Sequence, residues 1–215
     1  MTTTQLQAAR KLAAEYGVNV NGSEPHGSFN PVTAANGLRE IPVNVAKGGG
    51  ILHVYDDASG VYRPGMDLLK KILVAFLGER WKPVRADAVL RYLDDAAPSL
   101  WARPPTDQVN VRNGILNLAT GELKSHTPTW LSPIQIGAAW NPDAGCPHIS
   151  SFVDDVIPPD TAKLVYEIAG LLCVPDMTFQ TAVLLLGGGS NGKSTLIRLL
   201  RALVGVENVA HVGLH

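Results

Sequence analysis

The stretch that most constrains this chain is VLLLGGGSNGKSTLIRLL, residues 183–200. A continuous apolar run, TAVLLL at 181–186, enters a glycine-rich turn, and the turn opens into leucines at helical spacing. The turn fits G-x-x-x-x-G-K-[ST], with Gly187, Gly192, Lys193 and Ser194 at the fixed places. An unbroken apolar run suits a parallel strand covered on both faces. Leu196, Leu199, Leu200 and Leu203 fall at i, i+3, i+4 and i+7, which predicts a helix with Arg198 and Arg201 facing away and Gly205 as its stop. Strand, glycine turn and helix in that order make half of a βαβ unit.

This pattern carries a chemistry. Glycines without Cβ atoms let the backbone curl around a phosphate, so the N–H groups of residues 189–194 are expected to point inward. The helix N-terminus adds the positive end of its dipole. Gly187, Gly188, Gly189, Ser190, Asn191 and Gly192 form the expected cradle. Lys193 is expected to reach the β- and γ-phosphates of ATP, and the Ser194 hydroxyl to join the coordination shell of Mg²⁺. Thr195 supports the loop or meets the α-phosphate region. The bland alternative is an ordinary glycine-rich turn before a helix.

Composition bounds the rest. The chain has 215 residues, 46% of them hydrophobic but only 6% aromatic, so aliphatic residues and alanine must fill its core. With 18 basic and 19 acidic residues the net charge is −1, which excludes a nucleic-acid or membrane surface that works by bulk charge. Cys146 and Cys173 have no paired spacing, which points to a reduced, cytoplasmic setting. No signal-peptide pattern opens the sequence, and no apolar run reaches membrane-spanning length.

Along the chain, TTTQLQAARKLAAEYG predicts an amphipathic helix capped by Gly17. Residues 18–50 read as loop with at most one short strand. ILHVYDDASGVYRPG predicts a hairpin, and MDLLKKILVAFLGER a helix with Leu69, Ile72, Leu73, Phe76 and Leu77 on its apolar face. RADAVLRYLDDAA predicts another helix. Turn signals at Asn113-Gly114 and Thr120-Gly121 predict a small hairpin or meander. The proline-rich stretch 125–160 reads as irregular. Asp160 then caps a helix whose apolar face is Leu164, Val165, Ile168, Leu171 and Leu172. The expected fold is an α+β N-terminal region, a helical connector, and the start of a P-loop α/β ATPase domain. The domain boundaries fall at 1–50 (unassigned), 51–125, 126–180 and 181–215. Residues 181–186 would lack sheet neighbours and leave apolar surface exposed.

With GGGSNGKST at 187–195, in the form G-x-G-x-N-G-K-S-T, the sequence resembles the Walker A loop of superfamily 3 helicases of the phage and plasmid primase-helicase family. The likeness extends upstream. NVRNGILNLATGELKSHTP resembles the family's segment before the ATPase core, and WNPDAGCPHISSFVDDV the segment after it. YEIAGLLCVPD and LLRALVGVENV are similar to the helices on either side of the loop. The match covers about residues 50–215. It implies a ring-forming, hexamer-type motor on single-stranded DNA, driven by ATP and Mg²⁺, in the replication of a phage or mobile element. Gly192, Lys193, Ser194 and Thr195 match the family's nucleotide-binding positions. No catalytic residue carries over, because the acidic strand end, polar sensor and arginine finger would follow His215. The expectation is therefore the N-terminal part of a helicase, cut early. A non-enzymatic interaction module that joins a helicase ring, and a different P-loop enzyme, remain as alternatives.

Other patterns compete with blander readings. Cys146 and His148 are two zinc-type ligands without a second pair. Asp56-Asp57, Asp94-Asp95 and Asp154-Asp155 are adjacent carboxylates whose side chains point apart, and solvation explains them. Arg80, Lys82, Arg85 and Arg91 interleave with Trp81 and Tyr92, and with Trp101 and Arg103 could make a stacking patch for single strands. A solvated helix edge is the simpler reading. His126, His211 and His215 show no partner pattern.

Overall fold

The computed structural model of the protein describes residues 29–39, 43–176 and 178–212, with Gln7 and Lys11. Of the helix expected over the N-terminal segment only Gln7 and Lys11 are described, both helical; its other residues and the Gly17 cap lie outside the described residues. So does His215. The described residues are α+β, with two small antiparallel sheets and six α-helices. They form two compact units: residues up to Trp101 with Leu131–Pro133, and Ala102–Trp130 with the chain from Ile134 onward.

The first unit opens with α1, Pro31–Arg39, inside the stretch expected to be loop. Asn30 starts it, its Oδ1 accepting from the N–H of Val32 at 2.9 Å and of Thr33 at 3.3 Å, with Pro31 next in place. An Asn-Pro pair is both a turn signal and a helix start, and the start wins here. Strands β1 (Val45–Gly48), β2 (Ile51–Asp56) and β3 (Val61–Pro64) make a meander. Gly49 and Gly50, at φ 58° and 77°, supply the two left-handed residues of a tight hairpin between β1 and β2. The expected β2–β3 hairpin forms, its turn held by Asp56. That carboxylate accepts from the Ser59 hydroxyl at 2.6 Å and from the Ala58 N–H at 3.2 Å.

Helices α2 (Met66–Leu77) and α3 (Pro83–Ala96) follow as the periodicity predicts. All five predicted apolar positions of α2 are buried, and they pack with Leu52 and Val54 of β2 and with Ala86, Val89, Leu90 and Leu93 of α3. Ala34, Ala35 and Leu38 of α1 close the same core. On the other face of the sheet, Ala46, Tyr55 and Tyr62 form a smaller cluster with Leu100 and Leu131. β2 is thus buried on both faces, although antiparallel. Lys47 of β1 forms an ion pair with Asp94 of α3, which ties sheet to helix.

The second unit carries the expected meander, β4 (Gln108–Val111), β5 (Gly114–Asn117) and β6 (Leu123–Lys124). Its tight turn is Arg112-Asn113, one residue earlier than the Asn-Gly signal, and Gly114 opens β5. A Cβ on Gly114 would run into the Lys124 carbonyl, so the glycine serves strand approach as well as the turn. Helix α4, Pro147–Val156, lies within the stretch expected to be irregular. Pro147 occupies its first turn, where a missing N–H costs nothing, and does not break it. Helix α5, Ala162–Cys173, follows Thr161, and neither Asp160 nor Thr161 makes a side-chain cap bond. Its expected apolar face is not a core face: Leu164 is 52% and Leu172 48% exposed, and no residue of α5 is fully buried. Periodicity reports that a face is apolar, not that a partner covers it.

Residues 181–186 form no strand, against expectation. A strand exists only through a neighbour's hydrogen bonds, and among the described residues no strand pairs with this run. The expected apolar exposure is present, with Leu184 and Leu186 both 80% exposed. Helix α6, Lys193–Val204, matches its predicted range and stops at Gly205, whose φ is 91°. Of its leucines only Leu196 is buried, while Leu199, Leu200 and Leu203 are half-buried. Arg198 faces outward as expected, but Arg201 does not, because its Nε is buried.

Leu73→Ala is expected to destabilise the first unit by about 2–5 kcal/mol, whereas Val74→Ala, next to it on the open face, should stay within about 0.5 kcal/mol. Urea unfolding of both variants checks the contrast.

Candidate functional site

The candidate site is the turn Gly187–Gly192 and the first turn of α6. The backbone bends sharply there: Gly189, Ser190 and Gly192 all have positive φ, at 103°, 49° and 82°. Ser190 is one of only two described non-glycine residues with that geometry. Gly192 is the residue before the helix, in the left-handed region, and no side chain caps the helix behind it. The first helical bond runs from the Leu196 N–H to the Gly192 carbonyl at 2.9 Å. The N–H groups of Lys193, Ser194 and Thr195 therefore have no acceptor within the helix, and this end carries partial positive charge.

A close approach holds the turn in place. A Cβ on Gly192 would stand 2.9 Å from Val156 Cγ1 and 3.3 Å from Phe152 Cζ, both on α4. Leu196, 6% exposed, anchors the first turn of α6 from within. At the far end of α6, a Cβ on Gly137 would meet the Ala202 carbonyl at 2.6 Å, and Asn208 Nδ2 donates to the carbonyls of Gln135 and Val204. These supports were not found from the sequence. The i, i+4 spacing of Phe152 and Val156 was the available signal, hidden by the prolines around it.

All nine expected site residues lie on this one turn and helix start. The Lys193 ammonium is folded back, donating to the Gly187 carbonyl at 3.0 Å and to Asn191 Oδ1 at 2.7 Å. Ser194 and Thr195 are exposed. Such an arrangement presents N–H groups, one ammonium and two hydroxyls to an approaching anion, with no acidic side chain paired to Lys193 among the described residues.

The remaining candidates disperse. No group of three or more His, Cys, Asp and Glu among the described residues could hold a metal ion, and Cys146 simply precedes α4. Asp56 is a turn residue and Asp94 is paired with Lys47, while Asp154 and Asp155 are exposed on α4. In the basic and aromatic stretch, Arg85 donates to the Arg80 carbonyl at 3.0 Å and stacks over Phe29, with 5.2 Å to the ring centroid. Tyr92 packs against the first core, Trp81 is 41% exposed, and Arg103 belongs to the second unit. His126 has a partner after all, the Val111 carbonyl at 2.9 Å.

Among the described residues, four acidities are shifted by their surroundings. Burial raises Tyr55, with Asp57 and Asp56 adding to it, and burial also raises Tyr62. The Thr178 hydroxyl and N–H bonds hold the exposed Asp176 carboxyl below its usual range. Burial pushes the Cys173 thiol up, while Cys146 is exposed. A raised thiol holds less thiolate at a given pH, so its reaction needs more alkaline solution. A disulfide reagent near neutral pH should therefore label one thiol quickly, Cys146, and reach Cys173 only in denaturant or at higher pH. Peptide mapping of the labelled protein checks this.

Among known proteins, the family described as D5 N terminal like matches residues 40–158, which span β1 to α4 and end before the glycine turn. No curated protein matches the chain. With more than half of its 215 residues inside that match, the chain belongs to the D5 N terminal like family, which is found in phage and plasmid primase-helicase proteins.

Proposed function

We propose that residues 187–195 are a Walker A loop that binds ATP with Mg²⁺, at the start of a P-loop domain in a superfamily 3-type replication helicase of a phage or mobile element. The observation that carries this reading is the uncapped start of α6, reached through left-handed Gly192 with Lys193 and Ser194 in its first turn. Phosphate oxygens fit the open N–H groups and dipole there, with Lys193 as the counter-charge and Ser194 as the Mg²⁺ ligand. The backbone N–H groups of Gly187, Gly188, Gly189, Ser190 and Asn191 wrap the phosphates, and Thr195 supports the loop. Family membership over residues 40–158 supports the helicase context, and with it a cytoplasmic setting, single-stranded DNA as partner and a hexamer-type ring. No helix among the described residues is long and apolar enough to cross a membrane.

One observation favours a second reading. Phe179, Val183, Leu184 and Leu186 are 51–80% exposed, more apolar surface than a chain acting alone needs. On that reading the chain joins a helicase ring through this run and acts as an interaction module. Leu184→Asp with Leu186→Asp would then abolish co-purification with ring subunits while leaving nucleotide binding intact.

Titration with a fluorescent ATP analogue tests the first reading. The protein should bind it in the presence of Mg²⁺, and Lys193→Ala should weaken binding by tenfold or more, given about 1.5–3 kcal/mol for a charge-assisted bond. Equal affinity in Lys193→Ala would remove the loop from the site.

A further inference from the structure

Asn191 carries an inference that deepens this reading of the loop and rests on it. Lys193 is not without partners: its ammonium is bound by two neutral oxygens, the Gly187 carbonyl and Asn191 Oδ1. The Asn191 amide can lie across the turn because residue 187 has no side chain. A Cβ there would overlap Asn191 Nδ2 and come within 3.0 Å of Lys193 Nζ. Gly187 thus provides both the room for the amide and the second oxygen. A neutral amide binds an ammonium less strongly than a carboxylate does, so a polyphosphate with several charges can take its place.

We propose that Asn191 is a latch, a positioning residue that keeps Lys193 folded over the turn in the free protein. Binding a triphosphate exchanges the two carbonyl bonds of Lys193 for phosphate oxygens. Releasing the latch favours the ligand, because the free protein then has less to lose. Asn191→Ala should bind Mg·ATP about threefold to tenfold more tightly. Asn191→Asp should bind at least about tenfold more weakly, since its carboxylate pairs with the ammonium and repels phosphate.

Two measurements on the full chain test the proposal. In free protein, nitrogen-15 NMR of lysine ammonium groups should show a slowly exchanging Lys193 signal, assigned by its absence in Lys193→Ala. That signal should vanish in Asn191→Ala and in Gly187→Ala, which displaces the amide. Titration with Mg·ATP and with inorganic triphosphate should then rank affinity as Asn191→Ala, native, Asn191→Asp. A native Lys193 signal that exchanges as fast as exposed lysines, or weaker triphosphate binding by Asn191→Ala than by the native protein, would overturn the latch. A protected Lys193 signal with no triphosphate binding by any variant would support the latch and sink the phosphate-loop reading instead.

Discussion

The seating of Gly192 against α4 is the contact on which the candidate site depends. Gly192 must hold φ at 82° to turn the chain into α6, and the space where a Cβ would stand is taken by Val156 and Phe152. Any L-side chain there would face both a strained backbone and a clash. That contact fixes where α6 begins, and so which N–H groups are left without acceptors. Leu196 sets the rotation of the helix by burying one side of its first turn. Lys193 and Ser194, one and two residues after the glycine, then have no freedom to leave the rim of the turn.

The first unit shows a different balance. Its core is built from three helices on a three-stranded meander, and its stability comes from aliphatic side chains, with β2 sandwiched between two clusters. Little there suggests chemistry. Asp56 holds a turn, Asp94 is tied to Lys47, and Arg85 stacks on Phe29. At the glycine turn the uncapped helix start stands beside one ammonium and two hydroxyls, and that combination is why function is proposed there. The family match runs from β1 through α4 and stops short of the turn, so the turn's own geometry is a separate line of support.

Much of this was legible in the sequence where local signals and packing agree. The α2 stripe from Leu69 to Leu77, both hairpins and the span of α6 all follow from spacing and turn residues. Each miss has its own physical cause. The stretches 18–50 and 125–160 read as loop and irregular, yet proline in a first helical turn costs no hydrogen bond, so Pro31 and Pro147 both open helices there. Gly49 and Gly50 were read as linker, although two left-handed glycines are what a tight hairpin needs. The run 181–186 and the face of α5 fail in the opposite sense. Both are apolar in sequence, but burial is a property of a partner, and residue order within one segment does not supply one. The glycine turn and the start of α6 were legible because their signals are local. The α4 support beneath it is tertiary, and spacing alone did not reveal it.

The most direct test of the central claim is an amide NMR titration with Mg·ATP. Chemical-shift changes should concentrate at residues 187–195 and in Phe152 and Val156 behind them, with the first unit unmoved. Saturable changes centred elsewhere, or none at any nucleotide concentration, would contradict it.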